Sequence, residues 1–136
     1  MMTKIFVLED SLTRIDWFQS KWGIDNVIFT DNPISALNIL NSNVHFDVIF
    51  LDHDLGGGPY ERGVNGDGID LANWMAEQKI HCDTPIVVHS LNVPGSENIM
   101  NALKNTHKHV HRIDFISLKY QLKGFDPDTY GNEENT

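Results

Sequence analysis

Short apolar runs, each stopped by acids or small polar residues, alternate along the chain with stretches in which apolar side chains return every three or four positions. Lys4–Leu8 (KIFVL) is the first such run, ended by Glu9 and Asp10; being continuous rather than alternating, it predicts a strand buried on both faces. Leu12, Ile15, Phe18 and Trp22 then recur at helical spacing, with Asp10 or Ser11 placed to cap the first turn. Val27–Thr30 predicts a second strand, and Asp31-Asn32-Pro33 opens a helix carrying Ile34, Leu37 and Leu40 on one face. Phe46–Leu51 predicts the third strand. Beyond a glycine-rich loop, a third helix runs from about Gly68 through Ile69, Ala72, Met75 and Ala76. Thr84–His89 predicts a fourth strand, a fourth helix starts near Ser96 with Ile99, Met100 and Leu103, and the fifth strand lies within Ile113–Leu118.

Strict strand-helix alternation predicts an α/β three-layer sandwich, a parallel sheet covered by helices on both faces. In such sheets ligands sit beyond the carboxyl ends of the strands. That rule separates the polar residues into two groups. Glu9, Asp10, Asp52, His53, Asp54, His89, Ser90 and Lys119 follow strands and fall on one edge, whereas His45, His81, Cys82, His107, His109 and His111 precede strands and are discounted.

The length of 136 residues fits one domain, expected over residues 1–123, followed by an acidic polar tail, 124–136, whose composition predicts disorder. A formal charge of −9 with only ten Lys and Arg excludes an extensive nucleic-acid surface, so a phosphate substrate needs a local counter-charge, most simply a metal ion. The single cysteine, Cys82, excludes an internal disulfide and fits a reducing compartment. The opening MMTKIFVLED has too short an apolar run for a signal peptide or membrane span, so the expectation is a cytoplasmic protein with no membrane partner.

Carboxylates crowded at one edge repel one another and need a cation to remain ionised together. Glu9, Asp10, Asp52 and Asp54 are therefore the candidate metal ligands, and the bland alternative is that Asp10 or Asp54 only caps a helix. Oxygen ligands alone suit Mg²⁺, and added imidazole moves the preference toward Mn²⁺, Fe²⁺ or Zn²⁺. Mg²⁺ or Mn²⁺ leads, with Zn²⁺ as the alternative. The loop of residues 56–68 holds six of the ten glycines, so Gly57 and Gly58 are placed to offer backbone N–H groups to an anion, and Arg62 and Tyr60 to touch phosphate or base; a plain surface insertion is the competing reading. An EF-hand is excluded because the twelfth position from Asp52 is Gly63, a P-loop by the missing Gly-Lys-Ser/Thr, and a serine hydrolase by the lack of a glycine elbow around Ser90.

Glu9-Asp10, Asp52, Ser90 and Lys119 resemble the active-site set of a response-regulator receiver domain, in the same order and on the same strand ends. The run LDHDLGG and His89-Ser90-Leu91-Asn92-Val93-Pro94-Gly95, followed by Asn98 and Met100, further resembles the cyclic-phosphate processing receiver family, receiver-derived domains proposed to act on cyclic phosphate ends in RNA repair. The resemblance implies a flavodoxin-like fold with strand order 2-1-3-4-5. It also implies that Asp52 accepts the phosphoryl group, Glu9 and Asp10 hold the metal, Ser90 contacts the phosphoryl oxygens, Lys119 neutralises them, and Asn92 belongs to the substrate site. His53 and His89 add a ligand or a proton carrier. Two departures stand out. Tyr120 follows Lys119 where receivers carry proline, and Asp126-Pro127-Asp128 leaves the last helix short or missing, baring a flank that a second subunit or the tail is expected to cover. The leading expectation is a metal-dependent phosphoesterase acting on a cyclic phosphate, at an RNA end or on a cyclic nucleotide. A stand-alone phospho-accepting receiver and a non-catalytic nucleotide binder remain as alternatives.

Overall fold

The computed structural model describes residues 3–56, 63 and 65–121. Five strands, β1 (Ile5–Leu8), β2 (Val27–Thr30), β3 (Val48–Leu51), β4 (Ile86–Val88) and β5 (Val110–Arg112), form one parallel sheet in the order β2-β1-β3-β4-β5. Between them lie α1 (Leu12–Trp22), α2 (Pro33–Leu40), α3 (Gly68–Gln78) and α4 (Val93–Leu103). This is the expected three-layer α/β arrangement. No helix among the described residues is long and apolar enough to cross a membrane.

Alternate residues of the strands feed two cores, as the two-residue period of a strand requires. Phe6, Leu8, Ile49 and Leu51 face α2, α3 and α4, meeting Leu40, Leu71, Met75 and Ile99. Ile5, Val7, Val48 and Phe50 face the α1 side, where Phe18, Phe115 and Leu118 close over them. Both faces being covered explains why the strand sequences read as unbroken apolar runs.

Caps set where the helices begin. Ser11, not Asp10, caps α1 by accepting from the Arg14 N–H, and Asn32 caps α2 by accepting from Ile34 and Ser35. Asn92 Oδ1 accepts from the Gly95 N–H, so α4 starts at Val93, earlier than the expected Ser96. The largest departure concerns β5. It lies at Val110–Arg112, with Val88 in register with Arg112, and not within Ile113–Leu118. Ile113, Phe115 and Leu118 lie in a short apolar-rich run but belong to a turn that folds back onto the α1 side, ending in a π-helical turn over Ser117–Gln121. Phe115 packs edge-on against Trp17 with ring centroids 5.4 Å apart. His111 consequently sits within β5 rather than ahead of it.

Candidate metal and phosphate site

Three backbone hydrogen bonds carry the sheet past the ends of its strands and fix the residues that follow them. The Glu9 N–H donates to Thr30 O, Asp52 N–H to Leu8 O, and His89 N–H to Leu51 O, while His89 O accepts from the Phe115 N–H. Glu9, Asp52 and His89 are thereby brought together, all three buried, with one ligating atom from each within 4.8 Å of the others.

Glu9 is fully engaged. Its Oε2 accepts from the Asp10 and Ser11 N–H groups, and its Oε1 lies 2.8 Å from His89 Nε2, with neither side chain exposed. His89 Nδ1 is buried without a partner among the described residues, and the ring packs edge-on against Phe18. Nε2 is the ring nitrogen committed to Glu9. Burial on its own would raise the Glu9 carboxyl, but the His89 hydrogen bond and charge, the Ser11 N–H and Arg14 outweigh it and hold the group at about 2.

Asp52 is in the opposite condition. The His53 N–H donates to Oδ1, and no hydrogen bond reaches Oδ2 among the described residues. Burial pushes the carboxyl up to about 6, with the Glu9 charge adding to the rise against the opposing effects of His89, Arg14 and the His53 N–H. Asp10 is exposed and accepts from the Gly56 N–H at 2.7 Å; burial raises its carboxyl, and a hydrogen bond with Glu9 raises it further against the Gly56 contact. A buried carboxylate beside a second one, with no hydrogen bond to one of its oxygens among the described residues, favours a bound cation. The donor set therefore fits a divalent cation, with Asp52 and Glu9 as the atoms placed to hold it and Asp10 at its margin. On this geometry His89 is the positioning group for Glu9, because its Nε2 is already committed to Glu9 Oε1.

The other expected residues divide. Asp54 does not join the carboxylate cluster: Oδ1 lies 2.8 Å from His53 Nδ1, and both oxygens accept from Asn92 Nδ2 at 3.2 and 3.3 Å. Nor does it cap a helix. His53, Asp54 and Asn92 instead form their own network beside α4, with the His53 ring so close to Gly95 that a Cβ there would approach it to 2.5 Å. Ser90 is buried, its hydroxyl accepting from the Asn92 N–H. Lys119 does not end β5. It lies exposed in the π-helical turn with Nζ 5.1 Å from the Tyr120 ring centroid, displaced there because β5 ends at Arg112. Gly57, Gly58, Tyr60, Arg62 and the tail 124–136 lie outside the described residues.

The model of the cyclic-phosphate processing receiver domain family matches residues 7–105, which span β1 to the end of α4. The chain belongs to this family. Solved receiver domains share its fold. The CheY-like receiver domain from Methylobacillus flagellatus is 15% identical, with 90% of this chain and 98% of that one covered at a TM-score of 0.57. The receiver domain of the sensor histidine kinase PA1611 from Pseudomonas aeruginosa, solved with a magnesium ion coordinated in its active-site cleft, is 15% identical over 96% and 92% of the two chains at 0.59. The response regulator TrrA from Thermotoga maritima, solved with magnesium and beryllofluoride, is 17% identical over 90% and 97% at 0.58. No curated protein matches.

In this receiver two further positions escape a sequence reading. Arg14, in the first turn of α1, brings Nη1 to 3.6 Å from Glu9 Oε1 and 3.9 Å from Asp52 Oδ2. A lone arginine on an amphipathic helix carries no signal of pointing inward. Asp67, the residue before α3, is buried and its Oδ1 accepts from both the Leu55 and Gly63 N–H groups, closing the base of the glycine-rich loop. Replacing Asp67 by alanine leaves two buried N–H groups unmatched, so a loss of about 2–4 kcal/mol is expected in urea unfolding. Wild-type stability in that variant would show that the clasp is not what holds the loop.

The discounted histidines are structural where their partners are seen. His81 Nε2 lies 2.7 Å from Leu40 O, and the buried His107 lies 2.7 Å from Ile80 O.

Proposed function

We propose that this receiver is a metal-dependent phosphoesterase that opens a cyclic phosphate, at an RNA end or on a small cyclic nucleotide. The observation that carries the reading is the buried meeting of Asp52, Glu9 and His89, in a family associated with cyclic-phosphate processing. Asp52 and Glu9 would hold a divalent ion, which when bound would supply positive charge to the phosphoryl oxygens and make a nearby water more acidic. His89 holds Glu9 ionised and oriented through its 2.8 Å contact.

The proton carrier on this reading is His53. Its Nδ1 faces Asp54, which in turn is fixed by Asn92, so the ring's proton on that side is held and Nε2 is the exchanging atom. The carboxylate of Asp54 stabilises the imidazolium that forms when the ring takes a proton. Water adds to phosphorus, one phosphorus–oxygen bond to the sugar breaks, and the departing oxygen takes a proton, leaving a phosphate monoester.

The test is ³¹P NMR of the full chain with a 2′,3′-cyclic nucleotide and with cyclic-phosphate-ended RNA, in Mg²⁺, Mn²⁺ or Zn²⁺. The reading expects a monoester that forms only with metal present and slows by roughly 10²–10⁴-fold in His53→Ala. No turnover of either substrate with any of the three metals counts against it. Asp52 Oδ2, with no hydrogen bond among the described residues, also favours a second reading, a phospho-accepting switch. Stable phosphorylation of Asp52 by acetyl phosphate, without cyclic-phosphate opening, would select that one.

A further inference from the structure

We infer that Arg14 is the cation that grips the phosphoryl oxygens in this site, in the place the receiver pattern gives to Lys119. The inference deepens the phosphoesterase reading and rests on it for the identity of the substrate, though not for the existence of the anion site.

Three observations converge on Arg14. First, its guanidinium turns inward: the side chain is only 25% exposed, and its Cζ stands 5.1 Å from the Phe115 ring centroid, which holds the planar group against an aromatic face. Second, its separations from Glu9 and Asp52, 3.6 and 3.9 Å, are ion-pair distances too long for hydrogen bonds, and no hydrogen bond joins the guanidinium to an acceptor among the described residues. Its donors therefore lie at this edge with no hydrogen-bond acceptor among the described residues. Third, Lys119 stands over Tyr120 in an exposed turn, and among the described residues Arg14 alone makes an ion pair from Lys or Arg to Glu9 or Asp52. Arg112, the other nearby arginine, gives Nη2 to Ser90 O.

A phosphoryl group arriving at Asp52 brings negative charge to a place that already holds two buried carboxylates. A planar fork of N–H donors matches two phosphate oxygens at once, which a lysine ammonium does not. The turn of residues 113–121 explains the exchange of roles: by carrying Phe115 onto α1 it builds the platform under Arg14, and it sends Lys119 outward.

The experiment uses the full chain with Mg²⁺ and follows beryllofluoride binding by ¹⁹F NMR and inorganic phosphate binding by calorimetry, in wild type, Arg14→Gln, Arg14→Lys and Lys119→Gln. Arg14→Gln is expected to weaken both anions at least about tenfold, Arg14→Lys to restore part of the loss, and Lys119→Gln to bind as wild type does. Circular dichroism melts confirm that each variant is folded; should Arg14→Gln not fold, binding in Arg14→Lys equal to wild type overturns the inference. Wild-type binding in a folded Arg14→Gln, a loss in Lys119→Gln instead, or no anion binding by the wild type also overturns it. If cyclic phosphates are not opened but anion binding still follows Arg14, the hydrolytic reading fails and the anion site stands. If they are opened with unchanged kcat and KM in Arg14→Gln, the reverse holds.

Discussion

Asp52→Asn is expected to make the metal-free protein more stable while sharply lowering the proposed phosphoesterase activity. The carboxyl is raised to about 6 in the fold from an ordinary value of 3.8, chiefly by burial, so the folded chain binds more protons than the unfolded chain between those values. Stability carried by the protonated group is complete below the unfolded value and is lost as pH rises through the folded one. The difference corresponds to about 3 kcal/mol, so metal-free wild type should lose roughly that much between pH 4 and pH 7. Asparagine keeps an acceptor for the His53 N–H and carries no charge, which removes the loss and raises the melting temperature at pH 7 by roughly 10 °C. A divalent ion should flatten the same decline in wild type and do nothing for Asp52→Asn. The proposed phosphoesterase activity should fall on the order of 10²–10³-fold or further. A variant no more stable than wild type at pH 7 would mean that Asp52 does not sit ionised in a charge-starved place.

The second large effect belongs to His89. In His89→Leu the ring's volume is roughly kept but Glu9 Oε1 loses its donor, leaving a carboxylate with no exposure and only Arg14, at 3.6 Å, on that side. Breaking one half of a buried pair costs about 3–5 kcal/mol. The sign of the pH dependence follows from Glu9, whose depressed value in wild type gives stability present above its unfolded value of 4.5 and lost as pH falls toward about 2. The leucine variant forfeits that contribution, so its deficit is widest near pH 7 and narrows in acid, where Glu9 protonates. His89→Gln, able to donate an amide N–H, should recover part of the loss. A deficit equal at pH 4 and pH 7 would show that the leucine variant suffers from packing alone.

The carboxyl edge was readable from sequence because strands announce their own ends: KIFVL and VIFL stop at acids, and parallel pairing puts Glu9 and Asp52 side by side. The sheet order came through from the resemblance to receiver domains, since strand ends alone do not say which strands are neighbours. Lys119 misled because Ile113, Phe115 and Leu118 lie in a short apolar-rich run, and only the long-range pairing of Val110–Arg112 with β4 shows where the strand lies. Asp54 misled because its sequence distance from Asp52 says nothing of direction; the partners that claim it, His53 and Asn92, are respectively next in sequence and 38 residues away. Arg14 and Asp67 were silent because a charged residue in or just before a first helical turn reads as solvated unless the opposing surface is known.

Binding of Mn²⁺ to metal-free protein, followed by calorimetry and by electron paramagnetic resonance at pH 7, tests the central claim most directly. The account predicts one ion per chain in wild type, lost or weakened by orders of magnitude in Asp52→Asn and retained in Asp54→Asn, whose carboxylate serves His53 instead. Undiminished Mn²⁺ binding in Asp52→Asn, or none in wild type, would contradict it.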